Sequence, residues 1–85
     1  FIVYYNKNGK ITGSMRFYDP SLLPVNVLSG VRKKYTGKKF FGVTEISSGD
    51  RTVYFIKMED DNYWYTIKVD VYGNGEEYEV LKKQK

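Results

Sequence analysis

Four apolar-rich segments between residues 39 and 82 constrain the fold of this 85-residue chain more than any other feature. Aromatic and branched side chains recur at alternate positions in each segment, which is typical of half-buried β-strands. Turn-forming residues separate the segments at 48–51, 59–62 and 74–75. Consecutive strands joined by short turns pair as an antiparallel meander. We therefore predict a four-stranded meander with strands at 39–47, 52–58, 63–72 and 77–82.

The three turns can be checked against one another, because each turn fixes a register and each register assigns side chains to one of two faces. Closing the middle turn as a hairpin pairs Met58 with Tyr63. Closing the last turn, at residues 74–75, pairs Val69 with Val80. All three turns agree on one mostly apolar face, the core face, which would carry Phe41, Val43, Glu45, Tyr54, Ile56, Met58, Tyr63, Tyr65, Ile67, Val69, Val71, Tyr78 and Val80.

A second hairpin is predicted at the start of the chain. Residues 1–6 and 10–18 flank Asn8-Gly9, a strong signal for a type I′ turn, in which both central residues need positive φ. A two-residue turn here places Ile2 opposite Met15 and Tyr5 opposite Thr12.

Residues 24–35 change to a helical pattern. Pro24 suits the first helical turn, and Gly37 is a suitable residue for ending the helix. Gly30 lowers helix propensity, which we interpret as a close approach of the helix to the sheet. One apolar stripe, able to cover the core face, consists of Val27, Leu28, Val31 and Tyr35. The chain is therefore predicted to be a single α+β domain over residues 1–85, with one helix packed on the four-stranded meander and preceded by the N-terminal hairpin.

The opposite face of the meander, the outer face, is less polar than a surface that only contacts water. It would carry Phe40, Ile46, Val53, Phe55, Trp64 and Leu81, mixed with Thr44, Lys57, Thr66, Lys68, Asp70 and Glu79. Trp64 would lie opposite Lys57, within reach of a cation–π contact. An apolar patch of this kind fits a protein partner, a second copy of the chain, or a preceding segment of the protein, while an aromatic-rich face open to water is the simplest alternative. The candidate partner-binding residues are Val53, Phe55, Lys57 and Trp64.

The residue types present give little basis for catalysis or metal binding. The chain has no histidine and no cysteine, which removes the usual acid–base group near neutral pH and the usual ligands of zinc. The acidic cluster at 59–61 lacks the spacing of a calcium loop, and no serine lies in a nucleophile motif. We therefore expect no enzyme activity, no cofactor and no metal. Glu45, a carboxylate on the core face, is expected at its rim, accepting a hydrogen bond from a tyrosine or lysine.

The net charge of +4 permits weak attraction to acidic partners. Sheet aromatics with flanking lysines can also stack single-stranded bases, so a single-stranded nucleic-acid-binding module is the alternative function. The densest positive charge, between Arg32 and Lys39, is expected near the helix end and away from the outer face, which makes nucleic acid the less favoured partner. No apolar run approaches the length of a membrane span. The chain opens without methionine inside an apolar run, as expected of a mature or trimmed piece.

The segment from Leu22 to Lys83 resembles the PepSY-like, β-lactamase-inhibitor-like domains of exported Bacteroidetes proteins. The resemblance rests on the helix start, the helix end and the strands that follow: Leu23-Pro24, Lys34-Tyr35-Thr36-Gly37, Phe41-Gly42-Val43-Thr44-Glu45 and Tyr54-Phe55-Ile56-Lys57-Met58-Glu59. It implies a helix against a four-stranded antiparallel sheet, a periplasmic or secreted location, and a non-catalytic binding or inhibitory role. Residues 1–20 echo the end of the chain and are interpreted as the end of a truncated first repeat.

Overall fold

The computed structural model describes residues 2–5, 7 and 11–84, of which 2, 4, 5, 11 and 12 are described by their backbone alone. The elements in chain order are β1 (Ile2–Tyr5), β2 (Ile11–Tyr18), a 3₁₀ turn (Pro20–Leu22), α1 (Val25–Lys34), β3 (Lys39–Ser48), β4 (Arg51–Glu59), β5 (Tyr63–Val69) and β6 (Gly75–Lys82). All neighbouring strands are antiparallel, and the sheet order follows the chain order. The predicted α+β class is confirmed. The N-terminal hairpin extends the meander, because β2 pairs with β3 and makes one six-stranded sheet.

The N-terminal hairpin has most of the predicted register. Ile2 lies opposite Met15 and Tyr4 lies opposite Gly13. An irregularity between Tyr4 and Tyr5 shifts the pairing, so that Tyr5 lies opposite Ile11, and the predicted pairing with Thr12 is wrong. The predicted Asn8-Gly9 turn lies outside the described residues.

The β3–β4 turn forms at Gly49 and Asp50 as predicted, with Ser48 opposite Arg51 and Gly49 at a φ of 62°. A β-bulge further along β3 changes the faces of the two phenylalanines. Phe40 pairs with Met58 and Gly42 pairs with Lys57, which leaves Phe41 as the extra residue. Since one extra residue reverses the alternation, Phe40 packs against the core. Phe41 is 46% exposed, and its predicted place on the core face is wrong.

The β4–β5 hairpin has a pairing register displaced by two residues from the predicted one. Glu59 lies opposite Trp64, and Met58 lies opposite Tyr65 in place of Tyr63. The Asp60 side chain sets this turn: its Oδ1 accepts hydrogen bonds from the backbone N–H groups of Asn62 (2.9 Å) and Tyr63 (2.8 Å). Because the displacement is an even number of residues, every side chain keeps its predicted face.

Asp60 also accepts a hydrogen bond from the Tyr65 hydroxyl at 2.7 Å. This bond, together with the backbone donors, lowers the pKa of Asp60 from its usual 3.8 to about 2. A lowered pKa stabilises the fold above the unfolded-state value, and that contribution is lost as the pH falls through the folded-state value. We therefore expect the difference in unfolding free energy between the wild type and Asp60→Asn to be largest above about pH 4 and to shrink towards pH 2. Urea unfolding across this pH range measures the difference.

The neighbouring variant Asp61→Asn is the control, because Asp61 lies exposed in the same turn. It should differ little from the wild type at any pH. A constant gap between the wild type and Asp60→Asn from pH 2 to pH 6 would show that the Asp60 charge does not stabilise the turn.

The β5–β6 turn forms around Asp70 instead of the predicted Asn74-Gly75. Asp70 Oδ1 accepts hydrogen bonds from the N–H groups of Tyr72 (2.9 Å) and Asn74 (3.0 Å), and Gly73 takes a φ of 88°. Since Gly75 has no positive φ, a type I′ turn is excluded. Strand β5 ends at Val69, which pairs with Gly75 in place of Val80.

The relocated turn changes the places of three predicted core-face residues. Val71 lies in the turn and is exposed. Val80 lies opposite Tyr65 at the sheet edge and is also exposed. Glu77 pairs with Ile67 and Glu79 pairs with Thr66, so Tyr78 between them is the extra residue of a β-bulge. Its ring contacts Phe55 on the outer face.

The core forms between α1 and the core face of the sheet. Val27 and Val31 of the helix are fully buried against fully buried strand residues, with Leu28 and Tyr35 packed at the margin, as the helical stripe predicted. The buried strand residues are Val43, Tyr54, Ile56, Met58, Ile67 and Val69. No helix in the described part of the chain has the length and apolar character that membrane crossing requires.

The helix is also attached to the β5–β6 turn. A Cβ on Gly30 would lie 3.2 Å from the Gly73 carbonyl oxygen, so the helix does approach another segment closely at Gly30, but that segment is this turn and not the predicted strands of the sheet. The Asn26 amide donates a hydrogen bond to the Val71 carbonyl (3.0 Å), and the Lys34 ammonium donates one to the Gly75 carbonyl (2.5 Å).

Glu45 lies opposite Tyr54 on the core face, as predicted. Its carboxylate lies 3.8 Å from the guanidinium of Arg16, an ion-pair partner in place of the predicted tyrosine or lysine. Burial, and then the Glu45 carboxylate, raises the pKa of Tyr18 to about 12 and also raises the pKa of Tyr54. Both phenols therefore stay neutral near pH 7.

Candidate interaction surface

The outer face lies on the side of the sheet that α1 does not cover. It holds alternate residues of β2 to β6 and the two residues that the bulges redirect. Its members are Met15, Phe17, Phe41, Thr44, Ile46, Val53, Phe55, Lys57, Trp64, Thr66, Lys68, Glu76, Tyr78, Glu79 and Leu81.

The four residues predicted to bind a partner all lie on this face. Val53, Phe55 and Lys57 take alternate positions on β4 and are half-buried, and Trp64 on β5 is 45% exposed. Lys57 and Trp64 line one apolar groove of about 380 Å³. Phe41, Thr66, Glu79 and Leu81 complete most of its wall.

Trp64 is held in place by charged neighbours, although the predicted cation–π contact with Lys57 is wrong. The two-residue displacement of the β4–β5 register puts Thr66, and not Trp64, opposite Lys57. The ammonium of Lys83 lies 5.5 Å from the Trp64 ring centroid and 3.0 Å from the Glu59 carboxylate. The indole ring is therefore a large apolar group, and the Lys83 ammonium lies against one side of it.

The centre of the outer face is packed by its own side chains. The Tyr78 ring meets the Phe55 ring edge-on, with centroids 5.1 Å apart. The Lys57 ammonium donates a hydrogen bond to the Thr66 hydroxyl at 2.6 Å, and Thr66 is only 6% exposed. These contacts already restrict the side chains of the outer face, so less conformational entropy would be lost when a partner binds.

Because the helix covers only one face of the sheet, the molecule is flat and its accessible surface area is large for its mass. It measures 48 × 30 × 19 Å with a radius of gyration of 14.2 Å, whereas a compact chain of this length has about 12 Å. Its accessible surface is 6143 Å², compared with roughly 5,200 Å² for a folded monomer of this mass. The excess is what a sheet with only one covered face produces.

Sequence reasoning missed three parts of the outer face. Met15 and Phe17 belong to it because β2 pairs with β3 and so joins the meander. Their alternate positions on β2 were the only sequence pattern that could have indicated a shared face. Phe41 and Tyr78 reach it through bulges. Gly42, next to the first bulge, was a weak signal, since glycine within a strand often marks one.

Several of the other charged groups are used within the fold. Asp60 and Asp70 cap turns. Lys38 lies over the Tyr65 ring at 4.6 Å, and Lys34 binds the Gly75 carbonyl. In the described ranges, no three acidic, histidine or cysteine side chains converge as metal ligands.

Comparison with protein-family models, with curated proteins and with solved structures finds no match. The function is therefore inferred from the chemistry of the outer face.

Proposed function

We propose that this chain is a non-enzymatic protein-interaction module that binds its partner through the outer face. The observation that carries the proposal is a run of exposed aromatic and aliphatic side chains on a sheet face that no element of the described residues covers. Its most exposed members are Phe17, Phe41, Trp64, Tyr78 and Leu81. Large contiguous apolar patches on small domains usually mark interaction sites.

Val53, Phe55, Lys57 and Trp64 form the centre of the proposed contact. Trp64 lines the groove and projects from a supported position, which suits an anchor residue of an interface. Lys57 supplies a positive charge beside an apolar wall, and its hydrogen bond to Thr66 fixes that charge. Aromatic anchors with few, well-placed polar groups are typical of interface centres.

The shifted pKa values support a role without catalysis. The lowered pKa values of Asp60 and Asp70 arise from hydrogen bonds that build turns. The raised pKa values of Tyr18 and Tyr54 arise first from burial. Each of these four groups therefore has a structural explanation that does not involve the four proposed contact residues.

Single-stranded nucleic acid fits the outer face less well. Phe55, Trp64 and Lys68 suit base stacking and phosphate contact. However, Glu76 and Glu79 lie on the same face and would repel phosphates.

We also propose, from the resemblance of residues 22–83, that the module is PepSY-like and acts in the periplasm or outside the cell. A single helix on an antiparallel sheet is compatible with that resemblance. In such a setting the partner is another exported or surface protein.

Replacing Trp64 with alanine tests the proposed contact. The immobilised chain is used to capture proteins from the periplasmic fraction of producing cells, and the captured protein is purified and titrated by calorimetry. We expect Trp64→Ala to weaken that binding by about 30-fold, corresponding to a hot-spot loss of about 2 kcal/mol. Its melting temperature should fall by only a few degrees, because Trp64 lies outside the core.

Tyr72→Ala is the matched control, because Tyr72 is an aromatic residue 79% exposed in the β5–β6 turn. It should bind like the wild type. Equal binding by Trp64→Ala and the wild type would reject the outer face as the contact, and a large drop in melting temperature would show that Trp64 is part of the core.

A further inference from the structure

Strand β6 is the last strand in the sheet order, so one of its two edges has no neighbouring strand among the described residues. Every residue of β6 after Gly75 is exposed. Two apolar side chains lie near the middle of this edge, Val80 (40% exposed) and Leu81 (51% exposed). An exposed edge strand of eight residues is a template on which a further strand can pair.

The direction of the backbone groups along β6 follows from one hydrogen bond at its end. The Lys83 N–H donates to the Asn62 carbonyl at 2.8 Å, so the backbone groups of Lys83 point towards β5. This direction alternates from residue to residue in an antiparallel pair. The N–H and C=O groups of Lys82 and Val80 therefore point away from β5, towards the free edge.

The bulge in β6 makes the free edge symmetric about Val80. Glu77, Val80 and Lys82 pair with evenly spaced residues of β5, because Tyr78 is the extra residue of the bulge. Their partners, in the same order, are Ile67, Tyr65 and Tyr63. Glu77 and Lys82 therefore lie equally far from Val80 on either side, share its face of the sheet, and also direct their backbone groups towards the free edge.

The two residues that flank Val80 in this way carry opposite charges. Four residue steps of β5 separate their levels, which places Glu77 and Lys82 about 13 Å apart along the strand. That distance is too long for an ion pair within one chain. In the part of the chain that the structure describes, neither side chain forms an ion pair. An antiparallel copy of the same strand would bring each charge opposite the other.

We propose that β6 pairs edge to edge with β6 of a second copy of this chain, about a two-fold axis that passes beside Val80 and is perpendicular to the sheet. Val80 then lies opposite Val80 of the second copy. Glu77 lies opposite Lys82 of the second copy, and the same contact occurs again on the other side of the axis, as a self-complementary interface requires. Each facing pair exchanges both of its backbone hydrogen bonds, because the groups of all three residues point outwards.

The charge pattern selects this partner and this direction. Charged side chains on an edge strand usually hinder pairing with other strands. On β6 the carboxylate of Glu77 lies before the centre and the ammonium of Lys82 lies after it, so a parallel copy would bring like charges together. Only the antiparallel copy has opposite charges at both ends. The contact is small, so the dimer should be weak and should depend on protein concentration.

The free edge of β6 is distinct from the outer face. Because the axis is perpendicular to the sheet, the two outer faces of the dimer point in the same direction and both stay open to a partner. The inference therefore goes beyond the proposed function and does not depend on it.

Charge reversal tests the register of the paired edges. Sedimentation equilibrium of the wild type should show a monomer–dimer equilibrium. Glu77→Lys and Lys82→Glu should each raise the dissociation constant about tenfold, because each change places like charges opposite one another twice. An equimolar mixture of the two variants should recover the wild-type value, since both facing pairs of the mixed dimer have opposite charges. Arg51→Glu is the control, because Arg51 is exposed in the β3–β4 turn, separated from β6 by β5; it should dimerise like the wild type.

Val80→Pro tests the backbone pairing. Proline has no N–H, and an edge strand tolerates it where the missing group faces away from the sheet. The variant should keep the wild-type circular dichroism spectrum and melt within a few degrees of the wild type, but it should stay monomeric. Unfolding of this variant would show that the Val80 N–H is needed by β5, which contradicts the proposed edge.

A wild type that stays monomeric at the highest soluble concentration would overturn the proposal, and so would a mixture that associates no better than the single variants. If the wild type is monomeric while capture of a partner still depends on Trp64, edge pairing is rejected and the proposed function stands. If the wild type dimerises with the expected charge dependence while Trp64→Ala captures its partner normally, edge pairing stands and the proposed function is rejected.

Discussion

Ile56→Ala is expected to lower the free energy of unfolding by about 3 kcal/mol, within the range of about 2–5 kcal/mol found for isoleucine-to-alanine changes in cores. Ile56 is fully buried at the middle of β4, opposite Val43 on one side and Ile67 on the other. The change removes three carbons and leaves a cavity that flanking strands cannot close. Domains of this size are stable by only about 5–15 kcal/mol, so the shift in a urea unfolding curve should be large.

Val53→Ala on the same strand is the comparison. Val53 is half-buried on the outer face, so its truncation should cost about 1 kcal/mol or less. If the two variants lose equal stability, the outer face contributes as much to the core as the covered face does, and it is not free to bind a partner.

The division of the sheet into two faces was predictable from alternation alone. Tyr54, Ile56 and Met58 are buried, and Phe55 and Lys57 between them lie on the other face. The error in the middle hairpin did not change this division, because its register shifted by two residues and the faces repeat every two residues.

The turn and bulge positions were not predictable, because local signals competed with contacts distant in sequence. Asn74-Gly75 is a strong hairpin signal. However, the Asp70 carboxylate accepts hydrogen bonds from the backbone N–H groups of Tyr72 and Asn74, which fixes a turn earlier in the chain. Gly73 then fits against Gly30 of the helix, a contact that no local pattern contains. The bulge at Phe41 likewise depends on pairing with β4.

The sequence predicted that an outer face exists and which residues lie at its centre, but it did not predict how far this face extends. Period-two patterns identify a strand without naming its neighbours. Phe17 was therefore assigned to a separate hairpin, although pairing of β2 with β3 places it beside Thr44. The places of Glu76 and Tyr78 on this face were also hidden, because they depend on the register of the β5–β6 hairpin.

Thiol labelling gives the second large expected effect. The chain has no cysteine, so single variants report one position each. Ile67 is fully buried on the core face, and the next residue, Lys68, is exposed on the outer face. A thiol at position 67 can react only when the fold opens, which slows labelling by a factor on the order of 10³ or more for a stable domain.

The most direct measurement is therefore the pair of labelling rates for Ile67→Cys and Lys68→Cys in dilute protein. We expect slow labelling at position 67 and fast labelling at position 68. Fast labelling at position 67 with protection at position 68 would mean that the two faces are reversed, and no outer face would then be open to a partner.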